Sequence, residues 1–200
     1  MNNLWSDIQW RPTIGDPEPI GWIITFSYLF VAACCVSVGR RQRAVAIRLN
    51  SNGDPWFWFG LAVLLLGLGF NKQLDLQMLL IQIGRHVAKQ GGWYSDIKTI
   101  KPAIVFCVGV VALPVVAAWM CAVCSRGREY ILSSLGVSVL VTFVILRAMS
   151  FHPRVKQLMD LPIIGTYLNP VLELGGAALI GVGTVLATRR TLQLYRSASV

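Results

Sequence analysis

The sequence predicts an all-α, polytopic transmembrane bundle of about five helices. Three observations predict it. The 200 residues are 55% hydrophobic and only 14% charged, where a soluble domain of this size carries roughly 25% charged residues to cover its surface. Mean hydropathy is +0.61. The apolar residues fall in long runs with the charges between them, an arrangement suited to lipid rather than water.

Each run is judged against a hydrocarbon core of about 30 Å, which takes about 20 residues of helix to cross. The first predicted span covers residues 21–38 and closes at Arg40-Arg41. The second covers residues 56–78 and opens behind Asp54-Pro55, a capping side chain followed by proline at the first helical position. The third covers residues 102–123, with Pro114 as an internal kink. The fourth covers residues 130–149, and the fifth covers residues 170–187 and ends at Arg189-Arg190. Residues 125–129 make a link so short that spans three and four must be antiparallel neighbours. No repeat or low-complexity stretch divides the chain, so residues 1–200 read as one transmembrane domain.

An amphipathic segment at about residues 76–89 extends the second span. Leu76, Leu79, Leu80, Ile83 and Val87 recur at helical spacing, with Gln77, Gln82, Arg85 and Lys89 between them. A straight helix from Trp56 to Lys89 would measure about 50 Å. It must therefore project from the membrane or bend along its surface.

The net charge of +9 does not indicate nucleic acid. The basic residues sit as short clusters at span ends (Arg40, Arg41, Arg43; Arg126, Arg128; Arg189, Arg190), where anchors to anionic membrane lipid belong. Cys34, Cys35, Cys107, Cys121 and Cys124 all lie in apolar runs and read as free thiols. Residues 1–20 carry Asp7, Asp16 and Glu18 against a lone Arg11, unlike a cleavable leader. Arginine clusters abut span ends on one side while most acids fall on the other. The expected topology is therefore a bacterial inner membrane with the N-terminus periplasmic and the C-terminus cytoplasmic.

Depth arithmetic gives the candidate site. Lys72 and Asp75 lie about 24 to 28 Å beyond Trp56 along the second helix. Arg147 reaches a similar depth in the fourth, His152 follows it, and Glu173 opens the fifth. Asn71, Lys72, Asp75, Arg147, His152 and Glu173 are thus expected to form a polar cluster at the outer membrane face. Gln73, Gln77, Ser150 and Asn169 add hydrogen-bonding capacity. Lipid cannot solvate such groups, so they face the bundle interior or a wet cavity. As a functional site, Asp75, His152 and Glu173 would be the metal or proton-handling set. As a structural site, the same charges would lock helices together, and their two-to-two balance suits pairing. His86 with His152 as haem ligands, and Cys121-x-x-Cys124 with Cys34 and Cys35 as a thiolate site, are weaker readings. Gly175, Gly176, Ala177, Gly181, Gly183 and Ala187 give the last span small-residue faces for close packing.

The string Leu68-Gly69-Phe70-Asn71-Lys72-Gln73-Leu74-Asp75-Leu76-Gln77 resembles the hallmark of a family of uncharacterised bacterial polytopic membrane proteins. So do Gly84-Arg85, Gly92-Trp93-Tyr94, Arg147-Ala148-x-Ser150-Phe151-His152 and Leu172-Glu173-Leu174-Gly175-Gly176. The resemblance covers residues 56–176 and implies a membrane bundle without a named activity. Where similar proteins carry Phe-His-His-x-Asp, this chain has Phe151-His152-Pro153-Arg154-Val155 and lacks a second His and an Asp.

Three function classes remain open: a non-catalytic accessory subunit of a larger membrane assembly, a membrane-embedded and metal-dependent hydrolytic enzyme, and a small transporter. The sequence names no cofactor. The expected partners are membrane lipid and other transmembrane helices or subunits, not nucleic acid.

Overall fold

The structure, a computed structural model, describes residues 18–49, 54–74, 82–83, 86–87, 90, 123, 127–149, 162–163 and 166–197. Among them four helices are long and apolar enough to cross a membrane: α1 (Pro19–Leu49), α2 (Pro55–Leu74), α3 (Arg128–Met149) and α4 (Leu168–Ser197). Strands β1 (Pro162–Ile163) and β2 (Thr166–Tyr167) form a two-residue antiparallel ladder leading into α4. The expected count of five spans is not established. Apart from Val123, which is buried against the core, residues 102–123 lie outside the described residues.

Local chemistry sets the helix starts. Asp54 accepts a hydrogen bond from the Phe57 amide at 3.3 Å, satisfying an N-terminal donor of α2, and Pro55 supplies none. The Gly127 carbonyl accepts from the amides of Tyr130 and Ile131 at 3.1 and 3.2 Å, starting α3. Gly127 itself has φ 132°, a conformation open to glycine at little cost. Helix ends depart from the predicted spans because a membrane boundary does not stop a helix. α1 runs nine residues past Arg40, and α4 runs to Ser197. At 1.5 Å per residue these two are about 45 Å long, against about 30 Å for α2.

α4 is central. It packs along α3 and α1, and α1 packs along α2. Its buried residues Pro170, Glu173, Ala177, Ile180, Thr184, Ala187 and Thr191 recur at alternating steps of three and four, the repeat of knobs-into-holes packing. Gly176 and Gly183 flank that stripe and let α3 approach closely. A Cβ on Gly176 would stand 2.7 Å from Leu140 Cγ, and one on Gly136 of α3 would stand 2.6 Å from the Gly176 carbonyl oxygen. Gly183 lies against Ser133 and the Glu129 carbonyl. The other small residues do not share this role: Gly175 has nothing within 4 Å, and Gly181 meets only Val31 of α1 at 3.7 Å. In water the driving force would be burial of the apolar stripe; in lipid it is this close van der Waals fit.

The aromatic run Trp56–Phe59 divides between two surroundings. Trp56 is exposed, as an interfacial anchor is. Trp58 is fully buried, and Phe57 packs its ring 5.0 Å from Tyr130 of α3.

Candidate functional site

Two polar layers sit at opposite ends of the bundle. The first joins the end of α2 to the start of α4. The Lys72 ammonium donates to Glu173 Oε1 at 3.2 Å and lies 3.0 Å from Oε2, straddling the carboxylate. The Glu173 side chain is 2% exposed and that of Lys72 12%. α2 and α4 do not pack along their lengths, so this pair is a point contact between them, added to the α1–α4 packing that already joins the two halves.

Helix phase brings α1 into the same layer. Thr25 and Tyr28, three residues apart, share a buried face. The Gln73 amide donates to Thr25 Oγ1 at 3.0 Å, and that hydroxyl donates to the Gly21 carbonyl at 3.0 Å. Tyr28 is buried within electrostatic reach of both Glu173 and Arg147, which draws α3 to this level. Gln73 Oε1 and Asn169 Oδ1 are buried acceptors with no hydrogen-bond partner among the described residues. The layer is therefore a matched ion pair surrounded by amides and hydroxyls, with two acceptors left over.

Of the six residues expected to cluster, Lys72 and Glu173 touch. Arg147 ends α3 at this level with its side chain exposed. Asn71 is half-buried at the end of α2. Asp75 and His152 lie outside the described residues, so of the expected metal set only Glu173 is seen, and Lys72 holds its carboxylate. Among the described residues no three His, Cys, Asp or Glu side chains gather. His86 is buried, its Nε2 2.9 Å from Gln90 Nε2.

The second layer was not foreseen from the sequence. Glu129 of α3 pairs with Arg190 of α4, their side chains 7% and 57% exposed. The Tyr130 hydroxyl donates to Gln42 Oε1 of α1 at 3.3 Å, and its ring lies 5.7 Å from that of Trp58. Tyr130 thus joins α1, α2 and α3 at this end. One signal was available: Gln42 and Tyr130 each stand beside an arginine cluster, where a polar group inside the bundle needs a partner.

Scanned against models of protein families, and compared with curated proteins and with solved structures, the chain matches none of them.

Proposed function

We propose that this integral membrane protein is a non-catalytic accessory subunit of a larger assembly in a bacterial inner membrane. The single observation that carries this reading is the Lys72–Glu173 pair. Both charges are enclosed and committed to each other across two helices that otherwise do not pack together. A pair so placed holds helices in register and leaves neither group free to turn over a substrate. Its surroundings support the same reading, because Gly136, Gly176 and Gly183 leave no room for the α3–α4 seam to open without loss of contact. The orientation in this reading has the N-terminus periplasmic. Arg40, Arg41, Arg43, Arg128, Arg189, Arg190 and Arg196 gather at the end where α1 and α4 finish, while Lys72 and Arg147 lie at the other, which fits a cytoplasmic basic end.

A second reading, an enzyme or transporter working at the Lys72–Glu173 level, draws on the unpartnered Gln73 and Asn169 acceptors. One experiment separates the two. The tagged full chain is extracted from its native membrane in mild detergent, and the mass of the intact particle is measured. The accessory-subunit reading expects a second polypeptide at fixed stoichiometry, kept when Lys72 and Glu173 are both changed to Met. A chain recovered only as a monomer, or a physiological activity abolished by that double change in a folded protein, defeats it.

A further inference from the structure

We propose that the arginines at the shared end of α1 and α4 form a binding site for the phosphodiester headgroup of an anionic phospholipid. This stands apart from the subunit reading and does not depend on it. Its first support is height. α1 and α4 run parallel, and Gly181 of α4 lies against Val31 of α1. Nine residues further along each helix, 31 to 40 and 181 to 190, come Arg40 and Arg190. The Arg190–Glu129 pair brings the start of α3, with Arg128, to the same height. Exposed Trp56, at the start of α2, marks that end as an interface between apolar and polar surroundings.

The second support is the charge balance at this end. Residues 40–49 of α1 and 188–197 of α4 contain no Asp or Glu. Glu129 is taken by Arg190. Among the described residues, Arg40, Arg41, Arg43, Arg128 and Arg189 are exposed and make no ion pair. Asp54, the other acid described at this end, caps α2 through the Phe57 amide, so the exposed arginines outnumber the acids beside them. They sit at headgroup height, which favours a lipid over an acidic protein segment or nucleic acid approaching from water.

The third support is residue type. Every basic residue of residues 40–49, 125–129 and 188–197 is arginine, and Lys72, Lys89, Lys98, Lys101 and Lys156 all fall elsewhere. A diffuse negative surface is answered equally by lysine. The flat guanidinium fork matches two oxygens of one phosphodiester, which an ammonium cannot do.

The test uses the full chain in neutral phosphatidylcholine nanodiscs, titrated with phosphatidylglycerol, with the retained lipid counted by native mass spectrometry. The unaltered chain is expected to keep phosphatidylglycerol in preference to phosphatidylcholine and to lose that preference at high salt. Equal retention of the two overturns the proposal without any variant. Changing Arg40, Arg41 and Arg43 together to Gln is expected to weaken retention about a hundredfold, near fivefold per arginine at an anionic surface. The same three changed to Lys are expected to weaken it by about tenfold; full retention by the Lys variant overturns the arginine-specific site. Inorganic phosphate that displaces the lipid better than chloride at equal ionic strength makes the site one for soluble phosphate. Displacement by a polyglutamate peptide makes it a protein-docking surface. Either result overturns the lipid assignment.

Discussion

The two ion pairs use the same chemistry under opposite conditions. Lys72–Glu173 is enclosed on both sides, with 12% and 2% of the side chains exposed. Arg190–Glu129 keeps its cation in solvent, at 57% against 7%. An enclosed pair has exchanged hydration for mutual attraction, so neither member tolerates loss of the other. A pair with one wet member has given up less and depends on less. What matters at each end is therefore not that a salt bridge exists but how much water each charge could recover if its partner were removed.

That contrast can be broken most directly at Glu173. Changing it to Leu removes the carboxylate that the buried Lys72 ammonium straddles and is expected to cost about 3–5 kcal/mol, read as a lower unfolding midpoint in detergent. Changing Lys72 and Glu173 together to Met is expected to recover most of the loss, because no uncompensated charge remains. A double variant as unstable as the single one would show that the layer needs its charges for more than pairing. Next in size is the seam itself. Gly136→Val forces a branched side chain toward the Gly176 carbonyl and is expected to cost about 1–3 kcal/mol. The same variant should lower disulfide cross-linking between cysteines placed on facing positions of α3 and α4. At the wetter end, Glu129→Ala removes a carboxylate partner from the exposed Arg190 and is expected to cost about 1 kcal/mol or less, a loss that shrinks as salt rises. A salt-insensitive loss near that of Glu173→Leu would erase the distinction between the ends. The smallest effect is a gain. Gly175→Ala, with nothing within 4 Å, should stabilise α4 by about 0.5–1 kcal/mol.

Much of the helical layout could be read from the order of apolar runs and arginines, because lipid imposes length and polarity on any segment that crosses it. Asp54-Pro55 announced the start of α2 for an equally local reason, since a cap acts within one turn. Helix rotation was not legible. Depth arithmetic sets Lys72 and Glu173 at one height, but Asp75 lies three residues from Lys72 in the sequence while Glu173 lies 101 away. Which acid faces the ammonium depends on how α2 turns against α1 and α4. The same gap explains Trp58. An aromatic beside Asp54 reads as an interfacial anchor until Tyr130, brought in by α3, covers it. Tyr28 and Thr25 escaped notice because a hydroxyl inside an apolar run looks like a tolerated impurity unless a Gln or Glu on another helix faces it. The α1 and α4 overhangs had no signal either, since helix continuation past a headgroup layer needs only good helix formers.

The central place of α4 also orders the protein's birth. α1 and α2 can meet as soon as both leave the ribosome, being adjacent in the chain. The α3–α4 seam, however, waits for a helix that is synthesised after α3, and Lys72 waits for the Glu173 carboxylate 101 residues downstream. Until the final helix enters, Lys72 lacks the Glu173 carboxylate, and the α3 face around Gly136 lacks the Gly176 and Gly183 surface that it packs against. A chain interrupted before residue 168 would therefore show a membrane protease or insertase both marks of an unfinished product, and completion of the last span would remove them together.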